Sequence, residues 1–147
     1  MRNLWMPVLC VMALPFAALA VEDTKIIPVK GAISMIVSPM GGNVVVSSGD
    51  DGKFVIDDQL ADRAKETTDA FNKISDKPVK FIVNTHYHFD HTGNNELLGK
   101  QGAVIVAHDN VRKRLSSKQF ITLFKKEMQP LTGVGLPVIT FNEEVTF

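Results

Sequence analysis

The sequence predicts an α/β fold built on a mixed β-sheet. Three observations carry this. Short β-branched apolar runs joined by tight-turn residues fill residues 26–57. Helix-period spacing takes over at residues 60–74, and strands then alternate with helices toward the C-terminus. That order, an antiparallel β-rich start followed by strand–helix alternation, is the signature of a sheet that changes from antiparallel to parallel pairing.

Ile26–Val29 and Ile33–Val37 read as short strands bounded by Gly31 and Pro39, and Gly41-Gly42 reads as a turn. Asn43–Ser48 is β-branched and apolar, the pattern of a buried strand. Gly49-Asp50-Asp51-Gly52 then supplies residues that tolerate the positive φ of a hairpin turn, and Lys53–Ile56 returns as the partner strand, ending at Asp57-Asp58. Leu60, Ala64, Thr67, Phe71 and Ile74 recur at spacings of three and four, which predicts a helix ended by Lys77-Pro78. Val79–Val83 is a strand running into Asn84-Thr85-His86. Asn94–Leu98 reads as a short helix, Gly99–Gly102 as a break, and Ala103–Ala107 as another buried strand. Asn110–Leu115 and Phe120–Met128 are expected to be helical, Pro130 to Pro137 a loop, and Val138–Phe141 with Val145–Phe147 a hairpin around Asn142-Glu143-Glu144. A strand at residues 145–147 would leave an open sheet edge, which folded proteins usually cover. The chain therefore reads as stopping partway through a sheet.

Composition narrows the class. The chain has 147 residues, 45% hydrophobic and 22% charged, which excludes a disordered, collagen-like or multi-span membrane protein. Sixteen basic residues balance sixteen acidic ones, so no large electrostatic footprint for nucleic acid is expected. The first twenty residues stand apart: Arg2, an apolar run from Leu4 to Leu14, and the small-x-small ending Ala18-Leu19-Ala20. This three-part pattern predicts a signal peptide over residues 1–20, cut after Ala20. Pro7 and Pro15 break the apolar run, which is shorter than the ~20 residues a spanning helix needs, so no stable membrane anchor is expected. The mature domain, residues 21–147, is then periplasmic or secreted. It lacks cysteine, because the sole one is Cys10, so no thiolate can act there as nucleophile or ligand.

The chemistry concentrates in one loop. Three of the four histidines lie in Thr85-His86-Tyr87-His88-Phe89-Asp90-His91-Thr92-Gly93, directly after a buried strand. Imidazole and carboxylate form the ligand set of Zn²⁺ and similar ions. In an extended chain, His86 and His88 point the same way. The adjacent Asp90-His91 pair needs a bend, so its donors can face a neighbouring position. Nothing in an ordinary core calls for three imidazoles and a carboxylate within six residues, so a metal site is expected. Thr85, Tyr87 and Phe89 are expected to pack.

The run His86-Tyr87-His88-Phe89-Asp90-His91-Thr92-Gly93 resembles the HxHxDH motif of the metallo-β-lactamase-fold hydrolase superfamily. Gly41-Gly42-Asn43, Gly49 to Gly52, and Phe54-Val55-Ile56-Asp57 resemble that superfamily's opening strands, and Val104–His108 resembles the strand after the motif. The resemblance implies an αββα sandwich, of which residues 21–147 would form the N-terminal half, with one or two Zn²⁺ ions at the sheet edge. It implies that His86 and His88 are first-metal ligands and that Asp90 and His91 are second-metal ligands, Asp90 also being the catalytic residue. Asp57 matches an aspartate behind the site, in a supporting rather than a ligating role, and His108 matches no ligand. The implied activity is metal-dependent hydrolysis of an ester, amide or phosphoester bond in a small-molecule substrate, β-lactams being one candidate. The superfamily takes a third first-metal histidine and further ligands from downstream, and no histidine follows His108. Two alternatives stay open: a metal-binding or vestigial module without turnover, and a site completed by a partner chain.

Overall fold

The computed structural model describes residues 24–147. The expected signal peptide and its cleavage point lie outside the described residues. Seven strands form one sheet in the order β1-β2-β3-β4-β5-β6-β9. Strands β1 (Lys25–Lys30), β2 (Ile33–Val37), β3 (Val44–Gly49) and β4 (Gly52–Ile56) make an antiparallel meander. β5 (Val79–Asn84), β6 (Val104–His108) and β9 (Ile139–Phe141) then add in parallel. The predicted change from antiparallel to parallel pairing therefore falls between β4 and β5. A helix crosses over there, as parallel neighbours require.

That crossover helix is α1 (Ala64–Ile74), preceded by a 3₁₀ turn at Ala61–Arg63. It buries Thr67, Ala70 and Phe71, while its charged positions face outward. Ala70 and Phe71, with Leu98 of α2 (Asn95–Lys100), pack on Ile36, Val44, Val46, Val55, Ile82 and Ile105 to make the main core. Successive strand residues point to opposite faces. The alternate row Met35–Val45–Ile56–Val83–Val106–Ile139 therefore crosses the sheet on the side away from α1. Most of that row is only half-buried. Phe147 adds its ring to Phe54 and Phe81 on the same side, with centroids 4.8 and 5.6 Å away. The described residues thus make one helix-covered sheet, half of the expected sandwich.

Two details explain stability at the margins. Edge strand β1 carries Pro28 and a register shift between Pro28 and Lys30, which discourage further strand pairing. Lys53 is buried, and its Nζ donates to the carbonyls of Phe71 (3.3 Å) and Ser75 (2.9 Å), closing the C-terminal end of α1 from the sheet.

Three expectations need correction. Phe120–Met128 is not a helix: β7 (Gln119–Ile121) and β8 (Lys126–Met128) pair antiparallel around a 3₁₀ turn at Thr122–Phe124. Lys125 sits in the left-handed region at φ 49°, which no α-helix can pass through. Residues 138–147 do not form a hairpin either, because β9 pairs in parallel with β6 instead. The break expected from Gly99 begins only after Lys100. Gly99 lies inside α2, where the Val134 carbonyl closes down on the helix and leaves no room for a Cβ. Helix α3 (Asp109–Leu115) lies where expected and buries Val111 and Leu115 beside Ala107.

Candidate metal centre

The ligand loop begins where β5 ends, and three backbone contacts fix it. The His91 amide donates to the His88 carbonyl (3.0 Å), which makes the bend between the two halves of the motif. The Gly42 amide donates to the Asp90 carbonyl (3.2 Å), and the Asp58 amide to the His91 carbonyl (3.1 Å). Two glycines allow this approach. A Cβ on Gly42 would lie 2.5 Å from Cε1 of the His91 ring. One on Gly93 would collide with the Ala61 amide nitrogen and lie 2.6 Å from the Gln59 carbonyl. Gly93 is thus required by the closeness of the neighbouring backbone rather than by its own torsion angles.

Beneath the loop lies a buried amide pair. Asn84 Nδ2 donates to Asn95 Oδ1 (3.1 Å) and Asn95 Nδ2 to Asn84 Oδ1 (2.9 Å). Asn84 Nδ2 also reaches the His91 carbonyl (3.3 Å), and Asn95 Nδ2 the Gly135 carbonyl (3.1 Å). Asp58 is fully buried; its Oδ1 accepts from the Asn94 amide (2.9 Å), and its Oδ2 has no partner. Burial pushes its carboxyl well above the ordinary carboxylate value; the Asn94 amide opposes this, and neighbouring Asp57 adds to it.

The imidazoles converge. The His86 ring lies 4.7 Å from that of His88 and 4.1 Å from that of His91, centroid to centroid. Asp90 Oδ2 is 3.4 Å from His91 Nε2, and Asp90 Oδ1 is buried with no hydrogen-bond partner. Asp57 Oδ2 meets His91 Nδ1 at 2.8 Å. Asp57 itself accepts from the Thr85 amide at Oδ1 (2.8 Å) and from the Thr85 hydroxyl at Oδ2 (2.7 Å). Asp57, His86 and His91 each offer a ligand atom within 4.8 Å of the others. His88 and Asp90 stand outside that triad, His88 beside His86 and Asp90 beside His91. Burial, and then the like charges of His91 and His88, push the His86 imidazole below its ordinary value, against the pull of Asp57 and Asp90. This favours the uncharged ring, the form with a lone pair to give.

The donor set fits a divalent cation. It offers three imidazoles and carboxylates, the ligands that Zn²⁺ takes. An unpartnered buried carboxylate oxygen, Asp90 Oδ1, is what such an ion would satisfy.

A family model, described as the metallo-beta-lactamase superfamily, matches residues 31–121. The chain belongs to the metallo-beta-lactamase superfamily. Solved structures of similar fold include a subclass B3 metallo-beta-lactamase from a soil metagenome library (24% identity, TM-score 0.68), which covers 86% of this chain and 50% of its own. Another is BJP-1 from Bradyrhizobium japonicum, also subclass B3 (21%, TM-score 0.65, 84% and 50%). A third is FIM-1 from Pseudomonas aeruginosa in its mono-zinc form (18%, TM-score 0.55, 63% and 45%). The chain therefore spans about half the length of these metallo-beta-lactamases. No curated protein sequence matches it.

The remaining residues of interest have structural duties. His108 ends β6; its Nδ1 accepts from the Asn110 amide (3.0 Å), capping α3, and its Nε2 donates to the Asn142 carbonyl (2.9 Å). Tyr87 packs against the Ala107–Val111–Leu115 cluster, and Phe89 stacks edge-on against Phe124 with Lys126 over its face. Thr85 does not pack as expected: it is exposed and bonded to Asp57. A cleft of about 370 Å³ lies beside the loop, walled by Leu60, Phe89, Met128 and Leu131, with Lys126 at its rim. Among the described residues, no helix is long and apolar enough to cross a membrane.

Proposed function

We propose that the protein is an exported, zinc-dependent hydrolase that acts on an ester, amide (including β-lactam) or related bond of a small molecule. The observation that carries this reading is the convergence of the His86, His88 and His91 rings beside Asp90, whose buried Oδ1 has no partner. His86 and His88 would hold a first ion, and Asp90 and His91 a second. Zinc in such a donor set acidifies water toward a pKa of ~7 and polarises the scissile carbonyl or phosphoryl oxygen. The chain's own residues do the rest. Burial and the neighbouring imidazoles favour the neutral form of His86, the form that can donate a lone pair. Asp57 aims the His91 ring by holding its Nδ1. Asp90, whose Oδ1 is free of protein donors, would coordinate the second ion and orient, or take the proton of, the attacking water. The apolar cleft beside Phe89 offers room for a substrate's non-reacting part. Export is supported by the signal-like pattern of residues 1–20.

The test is elemental analysis of protein dialysed from zinc, with hydrolysis assays on nitrocefin, p-nitrophenyl acetate and bis(p-nitrophenyl) phosphate. At least one retained ion per chain and zinc-dependent turnover of one substrate are expected. A sample that retains no zinc overturns the reading. Zinc retention without turnover supports instead a metal-binding module. For export, N-terminal sequencing of periplasmic protein should begin at Val21.

A further inference from the structure

The exposed hydroxyl of Thr85 touches both sides of the donor set. Thr85 Oγ1 is 2.7 Å from Asp57 Oδ2 and 3.0 Å from His86 Nδ1. Asp57 Oδ2 is in turn 2.8 Å from His91 Nδ1. The four groups form one relay, His86–Thr85–Asp57–His91, and its hydrogens can be assigned by elimination. A carboxylate only accepts, so the single hydroxyl hydrogen of Thr85 goes to Asp57. Thr85 then has only oxygen lone pairs to offer His86, and His86 Nδ1 must carry the hydrogen of that contact. The same argument puts a hydrogen on His91 Nδ1. In His86 this leaves Nε2 bare, whereas His91 Nε2 faces Asp90 Oδ2 at 3.4 Å.

We propose that Thr85 is a positioning residue that, held by Asp57, commits His86 to the Nδ1–H tautomer, so that His86 presents Nε2 to a metal ion. The inference deepens the metal-centre reading and rests on it. A neutral histidine in water exchanges between two tautomers, and the wrong one puts a hydrogen where the lone pair must be. The relay removes that choice before the ion arrives. Thr85 suits the task because its two links to Asp57 are separable. Its backbone amide holds Oδ1 at 2.8 Å whatever the side chain, so losing the hydroxyl removes the bridge between Asp57 Oδ2 and His86 while Asp57 stays anchored.

The test uses the full chain, metal-free and labelled with ¹⁵N-histidine, at pH 8. Two-bond ¹H–¹⁵N spectra read the tautomer of each ring directly, and competition calorimetry with zinc chloride reads affinity. In the unsubstituted protein His86 should be Nδ1–H. Thr85→Val should give a mixture of tautomers at His86 and bind zinc about tenfold more weakly, in line with the loss of an outer hydrogen bond to a ligating histidine. Thr85→Ser should restore both. Thr85→Ala, which adds no methyl in place of the hydroxyl, substitutes for Thr85→Val should that variant unfold. The proposal is overturned if His86 is Nε2–H in the unsubstituted protein. It is equally overturned if removing the hydroxyl changes neither tautomer nor affinity. Failure of the unsubstituted protein to take up zinc overturns the metal-centre reading instead, and the metal-free spectra still decide what Thr85 does.

Discussion

Replacing Gly42 with alanine should damage the metal site far more than the fold. The added Cβ would sit 2.5 Å from Cε1 and 2.8 Å from both nitrogens of His91, well inside contact distance. The atoms in its way belong to a side chain, so the ring moves and the backbone stays. Swinging away, His91 gives up the 2.8 Å bond from Nδ1 to Asp57 Oδ2. Partners that orient a ligating histidine are worth about 10- to 100-fold in metal affinity, so zinc binding should weaken by about that factor. The fold itself should lose about 1 kcal/mol, the low end for overpacking, because the ring is partly solvent-facing. Competition calorimetry with zinc and urea unfolding of the metal-free protein separate the two quantities. Gly49→Ala, where an added Cβ meets nothing within 4 Å, is the control. A Gly42→Ala protein that binds zinc within threefold of the unsubstituted chain would refute the reasoning.

Three other outcomes follow from the geometry. His86→Ala or His88→Ala should lower zinc content in elemental analysis more than His108→Ala, whose ring is spent on the α3 cap and the Asn142 carbonyl; equal losses would remove the ligand assignment. In the metal-free protein the buried Asp58 carboxyl is pushed up, so its contribution to stability is full below its unfolded value of 3.8 and is lost as pH rises through the folded value. Asp58→Asn mimics the protonated form, and urea midpoints should show it gaining on the unsubstituted protein between pH 4 and pH 7.5; a constant difference would contradict the raised value. Asn95→Ala strands the Asn84 side chain in the core and should cost about 1–3 kcal/mol in urea unfolding, whereas a cost under about 0.5 kcal/mol would mean that water replaces the amide pair.

The meander was legible in the sequence because each of its strands is announced locally, by β-branched runs and by turn residues such as Asp50-Asp51-Gly52. The ligand loop was legible for the same reason: its donors are packed into six consecutive residues. What escaped depends on contacts between distant segments. Phe120, Phe124 and Met128 recur every four residues and imitate a helical stripe. In the structure Phe120 is exposed, Phe124 leans on Phe89, and the left-handed Lys125 turns the chain back. Residues 138–147 alternate like a hairpin, but the open edge of β6 takes Ile139–Phe141 as a parallel partner, and Phe147 is drawn to Phe54 and Phe81. Thr85 reads as one more residue after an apolar strand until Asp57, 28 positions earlier, is placed beside it. Gly42 reads as half of a turn until the His91 ring is placed over it.

The change from antiparallel to parallel pairing at β4 also orders the steps by which the chain assembles. The β1–β2 and β3–β4 hairpins turn on two residues each, and hairpins close within microseconds, so these two can form first. The donor loop cannot, because its tethers to Asp57 and Asp58 join positions 28 to 36 apart and need the α1 crossover first. A cation therefore meets a finished cradle only in chains that have already made that crossover. Its binding energy would slow the loss of the crossover while leaving the early hairpins to form at their own rate.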